Sequence, residues 1–304
     1  MTFPSARILD SIQKDNLDVL CELDTRGLFA APGESFDDYR QRLFQQGTDY
    51  RQLVRDAQNG KKLSDVSGLP SGAGTPVSRE ILQEAAAITE NLYGFSISWV
   101  PAYFLSRGLG FLWGGCTILT EQGLSLFVIR KSFAHKKHWF LYDRDELLAH
   151  ELCHVARNVF ENCELEEHFA YTTAKSALRR YTGNCFRSER DALLFLLPVL
   201  LLLLVEFAVC FGFLQIPFWP FVILALVYPV YLLIRNQQAR NLYFRVRKKI
   251  ENTGCKKPDA LLFRCSMEEI RTIDRIFQQD LLQWIHDQAQ KEIRWQVINK
   301  RFMQ

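Results

Sequence analysis

Apolar positions recur with three different periods along the chain, and each period predicts a different kind of element. Over residues 1–66, Ile8, Leu9, Ile12, Leu17 and Leu20, then Tyr39, Leu43, Leu53 and Val54, fall at helical spacing and predict short amphipathic helices. A Gly/Pro/Ser-rich stretch over 67–77 predicts a linker. Ile81, Leu82, Ala85, Ile88 and Leu92 then predict a helix over 78–91, with Gly94 as its stop. After it the period shortens to two. Phe95, Ile97 and Trp99 alternate with Ser96 and Ser98, which predicts a strand, and residues 116–119 and 124–129 predict a hairpin. From Asp143 the helical period returns, placing Leu147, Leu148, His154, Val155 and Phe160 on one long helix.

From Ala192 to Ile234 there is no period at all, only apolar residues interrupted by a single charge, Glu206. Residues 192–213 would span about 33 Å as a helix and 217–234 about 27 Å, against a hydrocarbon core of about 30 Å. This predicts a transmembrane helical hairpin over 191–235, turning at residues 214–217. Prolines 198, 217, 220 and 229 predict kinks. Glu206 is costly at that depth unless protonated or paired. Lys175, Arg179, Arg180, Arg187 and Arg190 precede the first span, and Arg235, Arg240, Arg245, Arg247, Lys248 and Lys249 follow the second. The loop between the spans is uncharged, so the positive-inside rule puts both ends of the hairpin, and hence both termini, in the cytoplasm. The first residues run into Asp10, Lys14, Asp15 and Asp18 with no apolar stretch, so insertion is expected from the internal hairpin alone.

Residues 236–304 are polar and helical again. Segments 267–278 and 281–302 carry Ile270, Ile273, Ile276, Phe277, Leu281, Leu282, Trp284 and Ile285 on apolar stripes, which predicts a helical cap on the cytosolic body. Composition changes this picture little. Lys+Arg is 37 and Asp+Glu 34, too balanced a charge to indicate a nucleic-acid partner. Eight cysteines without a close CxxC pair predict reduced thiols rather than a disulfide framework or a Cys₄ zinc module.

The chemistry lies on the helix that starts at Asp143, in His150-Glu151-Leu152-Cys153-His154. Side chains at i and i+4 stand one above the other on a helix, so both imidazoles reach one metal ion. Glu151 is placed to take a proton from a metal-activated water, and zinc would draw that water's pKa toward neutrality. A catalytic zinc needs a third protein ligand. Arg157 and Phe160 stand where the metzincin pattern requires Gly and His, so that class is excluded. Downstream lie Glu161, Glu164, Glu166, Glu167 and His168, with Cys163 as a thiolate alternative. With the first helix ending near Asn158 and a second, antiparallel one starting near residue 163, Glu167 or His168 comes level with His154.

HExxH followed by a glutamate on the next helix resembles the gluzincin metallopeptidases. In their membrane-bound HtpX and prenyl-protein endopeptidase members the third ligand sits in a Glu-x-x-Ala-Asp pattern. Residues 167–171, Glu-His-Phe-Ala-Tyr, are similar to that pattern, with Tyr171 where Asp would stand. The resemblance implies Glu167 as third ligand, ahead of Glu166 and His168. It also implies that the aspartate which would orient an imidazole is missing, leaving Glu164 or Tyr171 to replace it. A strand at residues 124–129 is expected to be the sheet edge that takes the substrate backbone. His135 and His138 are read as surface residues of a basic stretch, and Cys153 as a small packed side chain.

These readings converge on an α+β zincin-like domain over 78–190. It would be mostly helical, with a small antiparallel or mixed sheet beside the HExxH helix and the transmembrane hairpin inserted after it. The expected activity is a membrane-anchored zinc metalloprotease acting on membrane or membrane-proximal proteins from the cytoplasmic face of the cytoplasmic (inner) membrane. His150, His154 and Glu167 would hold Zn²⁺, and Glu151 would be the general base. The expected partners are a protein or peptide substrate and the lipid bilayer, with self-association through the hairpin. The alternative is a catalytically inactive zincin-like membrane scaffold or signalling protein.

Overall fold

The computed structural model describes residues 3–4, 6–13, 16–58, 73–105, 114–119, 124–139, 142–160 and 164–304. Helices α1 (Ala6–Asp10), α2 (Leu17–Thr25) and α3 (Phe36–Gln58) come first. Strand β1 (Ala73–Pro76), helix α4 (Arg79–Tyr93) and strands β2 (Ala102–Leu105), β3 (Gly115–Leu119) and β4 (Ser125–Arg130) follow. A short ribbon, β5 (His138–Trp139) and β6 (Tyr142–Asp143), leads into α5 (Arg144–Arg157), α6 (Glu166–Tyr171) and α7 (Ala177–Thr182). Two long apolar helices, α8 (Glu189–Cys210) and α9 (Trp219–Glu251), precede α10 (Pro258–Leu262), α11 (Met267–Arg275), α12 (Leu281–Lys291) and α13 (Ile293–Ile298).

The main sheet is mixed, in the order β1-β2-β4-β3, with β2 parallel to β4 and the other two pairs antiparallel. Residues 124–129 are therefore not an edge, as the sequence led one to expect. β4 is interior, with Leu126 and Val128 in one core and Phe127 and Ile129 in the other. Its unbroken apolar run is the signature of a strand covered on both faces. The edge beside α5 is β3. Ala73–Pro76, expected in the linker, form the opposite edge, while residues 67–72 lie outside the described ones.

Residues 95–98 alternate in burial as expected, Trp99 is only half-buried, and the segment joins no ladder. They lie against the end of α2, where Ser96 N–H donates to Thr25 O at 2.7 Å and Trp99 Nε1 to Arg26 O at 2.9 Å. Strand pairing begins only at Ala102. Helix α4 matches its expected span, and Gly94 takes the left-handed conformation (φ 69°) that stops it. In the N-terminal region α3 is one helix of 23 residues rather than several short ones. Its Tyr39, Leu43 and Leu53 are buried with Leu9 and Leu20 against the Leu126 and Val128 face of the sheet, while Val54 is exposed.

The second core joins α4 and α5 to α9, α10, α11, α12 and α13. The C-terminal part is a cap in which Trp295 is fully buried and Lys300 pairs with Asp18 at 2.7 Å. Arg264 and Arg301 both hold the buried Asp24 of α2. The helix expected over 281–302 is broken at Glu292, whose backbone is extended, and Phe277 and Leu282 are exposed instead of packed.

Helices α8 and α9 are long and apolar enough to cross a membrane. The first starts and ends about one turn earlier than the periodless stretch implied. The second is 33 residues long and continues past Ile234 into the second core, where Ala239, Tyr243, Val246 and Ile250 are buried. Pro198 and Pro229 lie inside these helices, and Glu206 is half-buried on α8. At the base of the pair Asp191 accepts two bonds from Arg235, at 3.1 and 2.7 Å, and one from Tyr228 Oη at 2.7 Å.

Candidate metal centre

Helix α5 begins where Asp143 caps it, its Oδ1 accepting from Asp145 N at 2.9 Å and Glu146 N at 3.0 Å. It ends at Asn158, as the sequence predicts. Between those ends His150 and His154 stand one turn apart, with their Nε2 atoms 3.2 Å from each other. The return helix α6 starts at Glu166, later than the residue-163 start expected, and is a single turn and a half. Glu161 and Cys163 lie outside the described residues.

The short return decides between the three candidate ligands. Glu167 reaches both imidazoles, Oε2 standing 3.6 Å from His150 Nε2 and Oε1 3.6 Å from His154 Nε2. Glu166 instead faces the back of His154, with Oε1 3.3 Å from Nδ1, and its Oε2 accepts from Arg157 Nε at 2.7 Å. His168 turns the other way, buried against the rings of Tyr243 and Phe244. Neither position expected to replace the missing aspartate does so by hydrogen bond to a ligand. Glu164 pairs with Arg271, and Tyr171 packs its ring on that of His150, centroids 4.5 Å apart. The carboxylate that stands behind an imidazole is Glu166, at His154.

A tetrahedral zinc bonded at about 2.0–2.1 Å spaces its ligand atoms about 3.3 Å apart. The two Nε2 atoms stand 3.2 Å apart and each lies 3.6 Å from a different oxygen of Glu167; one ligand atom from each residue makes a triangle with sides no longer than 4.8 Å, looser than that spacing but with the donor chemistry for the ion. Its side chains shift one another's ionisation. Burial and the neighbouring His154 hold His150 far below the usual imidazole range. Burial would lower His154 too, but Glu166, Glu167 and Glu151 outweigh it and raise that imidazole to about 9. Two imidazoles this close titrate as a coupled pair. Glu167 is raised, first by burial and then by Glu151 and Glu166. Glu166 is lowered because Arg157 and His154 together overcome its burial.

Glu151 lies beside the triangle, tied to the edge strand. Its Oε2 accepts from Thr117 N at 3.0 Å and from Thr117 Oγ1. A cleft of about 170 Å³ opens here, lined by Gly114, Gly115, Tyr142, His150, Glu151 and Arg179 among others. A larger, mainly apolar cavity of about 480 Å³ shares Tyr142, Tyr171 and Arg179 with it and extends to Phe195, Pro229 and Leu232 of α8 and α9. Thr117, Gly114, Gly115 and Tyr142 are not marked as site residues by the sequence. They come from elements distant in the chain, and no local spacing marks them. His135 and His138 are exposed, and Cys153 is fully buried, as expected. All the described cysteines are free thiols. No protein-family model, curated protein or solved structure matches this chain.

Proposed function

We propose that this chain is a membrane-anchored, zinc-dependent metalloprotease of gluzincin type, with a zincin-like domain facing the cytoplasm. The observation that carries the reading is the grouping of His150, His154 and Glu167, which bring one ligand atom each to within 4.8 Å of one another, with Glu151 beside them. Zinc held there would act as a Lewis acid on a peptide carbonyl and on water. Arg157 and Glu166 fix the imidazole of His154. Glu151 accepts the proton of the attacking water and passes it to the leaving amine. Edge strand β3 gives an extended peptide a place to pair beside the site.

Helices α8 and α9 anchor this domain in the bilayer, and the basic residues at both outer ends favour a cytoplasmic site and cytoplasmic termini. The apolar cavity between those helices and the cleft favours membrane or membrane-proximal proteins as substrates. A reporter tethered to the membrane is therefore expected to be cut faster than the same reporter in solution, and equal rates would remove that substrate class.

The first test is zinc content of the detergent-purified chain. About one zinc per chain is expected, lost in His150→Ala and Glu167→Ala and kept in Glu151→Gln, which loses peptide hydrolysis. No zinc in the wild type overturns the reading in favour of a non-catalytic scaffold, and unchanged hydrolysis in Glu151→Gln overturns Glu151 as the base.

A further inference from the structure

Along β3 the backbone groups alternate between the sheet and the outer edge, which no strand covers among the described residues. Phe127 N–H donates to Pro101 O at 2.9 Å, on the β2 side, so the facing pair Thr117–Phe127 exchanges no bonds across β3 and β4. The N–H of Thr117 consequently points out of the sheet, where a peptide adding to the edge would need it. That donor is already taken. It and the Thr117 hydroxyl both bind the same oxygen, Oε2, of Glu151.

We infer that Thr117 is a positioning residue that holds the general base until a substrate strand displaces it. This rests on the metalloprotease reading for its catalytic meaning, though the contact itself stands without it. A carbonyl of an extended peptide competes with Glu151 for Thr117 N–H. Pairing of the peptide along β3 frees the carboxylate to turn toward the attacking water. The base is thereby engaged by substrates long enough to pair as a strand, and short peptides that cannot pair leave it clamped. The substrate class so selected is an extended, unfolded segment.

Two measurements test this on the full-length protein in nanodiscs. The first is hydrogen exchange at the Thr117 amide, with and without zinc. Glu151→Ala is expected to speed it at least about tenfold, because that substitution removes its acceptor. The blocked decapeptide of alternating Val and Lys is expected to bind Glu151→Ala several-fold more tightly than wild type. Equal exchange rates, or equal or weaker peptide binding, overturn the clamp. The second measurement is a substrate-length comparison that leaves the base and the ligands in place. Thr117→Val is expected to raise kcat/KM several-fold for a blocked tripeptide and so to lower the decapeptide-to-tripeptide ratio several-fold, and Thr117→Ser to restore the wild-type ratio. A parallel fall for both lengths would show a merely structural threonine and overturn the inference. Zinc content separately decides the metalloprotease reading, so failure of one is distinguishable from failure of the other.

Discussion

Arg157 Nε stands 2.7 Å from Glu166 Oε2, and this ion pair aims the other carboxylate oxygen at His154 Nδ1, 3.3 Å away. Arg157 is itself fully buried, with Nη1 donating to Phe263 O. The C-terminal cap therefore reaches the His150–His154 pair through one guanidinium and one carboxylate. A carboxylate behind a ligating imidazole fixes its tautomer and ring orientation.

Glu166→Gln is expected to weaken zinc binding by about 10–100-fold without abolishing it, whereas Glu167→Gln removes a ligand. Chelator competition on the purified protein measures both. Glu164→Gln serves as the control, since Glu164 is paired with Arg271 away from the ligands, and it should leave affinity unchanged. Equal losses at 164 and 166 would refute the assignment.

The ring of Tyr171 occupies space that Gly183 leaves open. A Cβ at residue 183 would lie 2.1 Å from Cγ and 2.3 Å from Cδ2 of that ring. Gly183→Ala is expected to destabilise the protein by about 1–3 kcal/mol, since a packed ring must shift. Adding Tyr171→Ala to the same chain should recover part of the loss. Denaturant unfolding of the four variants gives the coupling, and strictly additive losses would contradict the contact.

Stability at acid pH should depend on Glu269. Burial alone would raise this carboxyl. Arg294, 2.6 Å away, outweighs that with the help of the Ser266 and Trp295 N–H groups, and Glu269 sits below the usual carboxylate range. A carboxyl depressed in the folded chain contributes stability that is fully present above its unfolded value, about 4.3, and is lost as pH falls through the folded value. The melting temperature should drop on acidification below about pH 4.3. Glu269→Gln should lower it at neutral pH and flatten that acid slope; an unchanged slope would exclude Glu269 as a source.

Much of the site was legible because it is local. The i, i+4 spacing of His150 and His154, the Asp143 cap and the stop at Asn158 all lie within one helix, where 3.6 residues per turn fixes which side chains share a face. For the proposed third ligand, helix spacing left Glu167 and His168 open, and only the resemblance chose Glu167. That choice depends on where α6 starts, and the start depends on how the chain turns between two packed helices. The absent aspartate was noticed, yet its replacement was sought at Glu164 and Tyr171. Glu166 takes that place only because Arg157, held by the C-terminal cap, pulls its carboxylate behind His154.

The same division runs through the fold. Apolar period and apolar length, read along the chain, determined the HExxH helix, the helix ending at Gly94 and the pair of membrane-length helices, because each follows from a helix burying or exposing its own residues. Only the tertiary structure decided that β4 is interior and β3 the edge, that α9 runs on into the second core, and that Thr117 meets Glu151. Strand order and contacts between distant segments depend on which surfaces the folded chain brings together, and no local spacing encodes that choice.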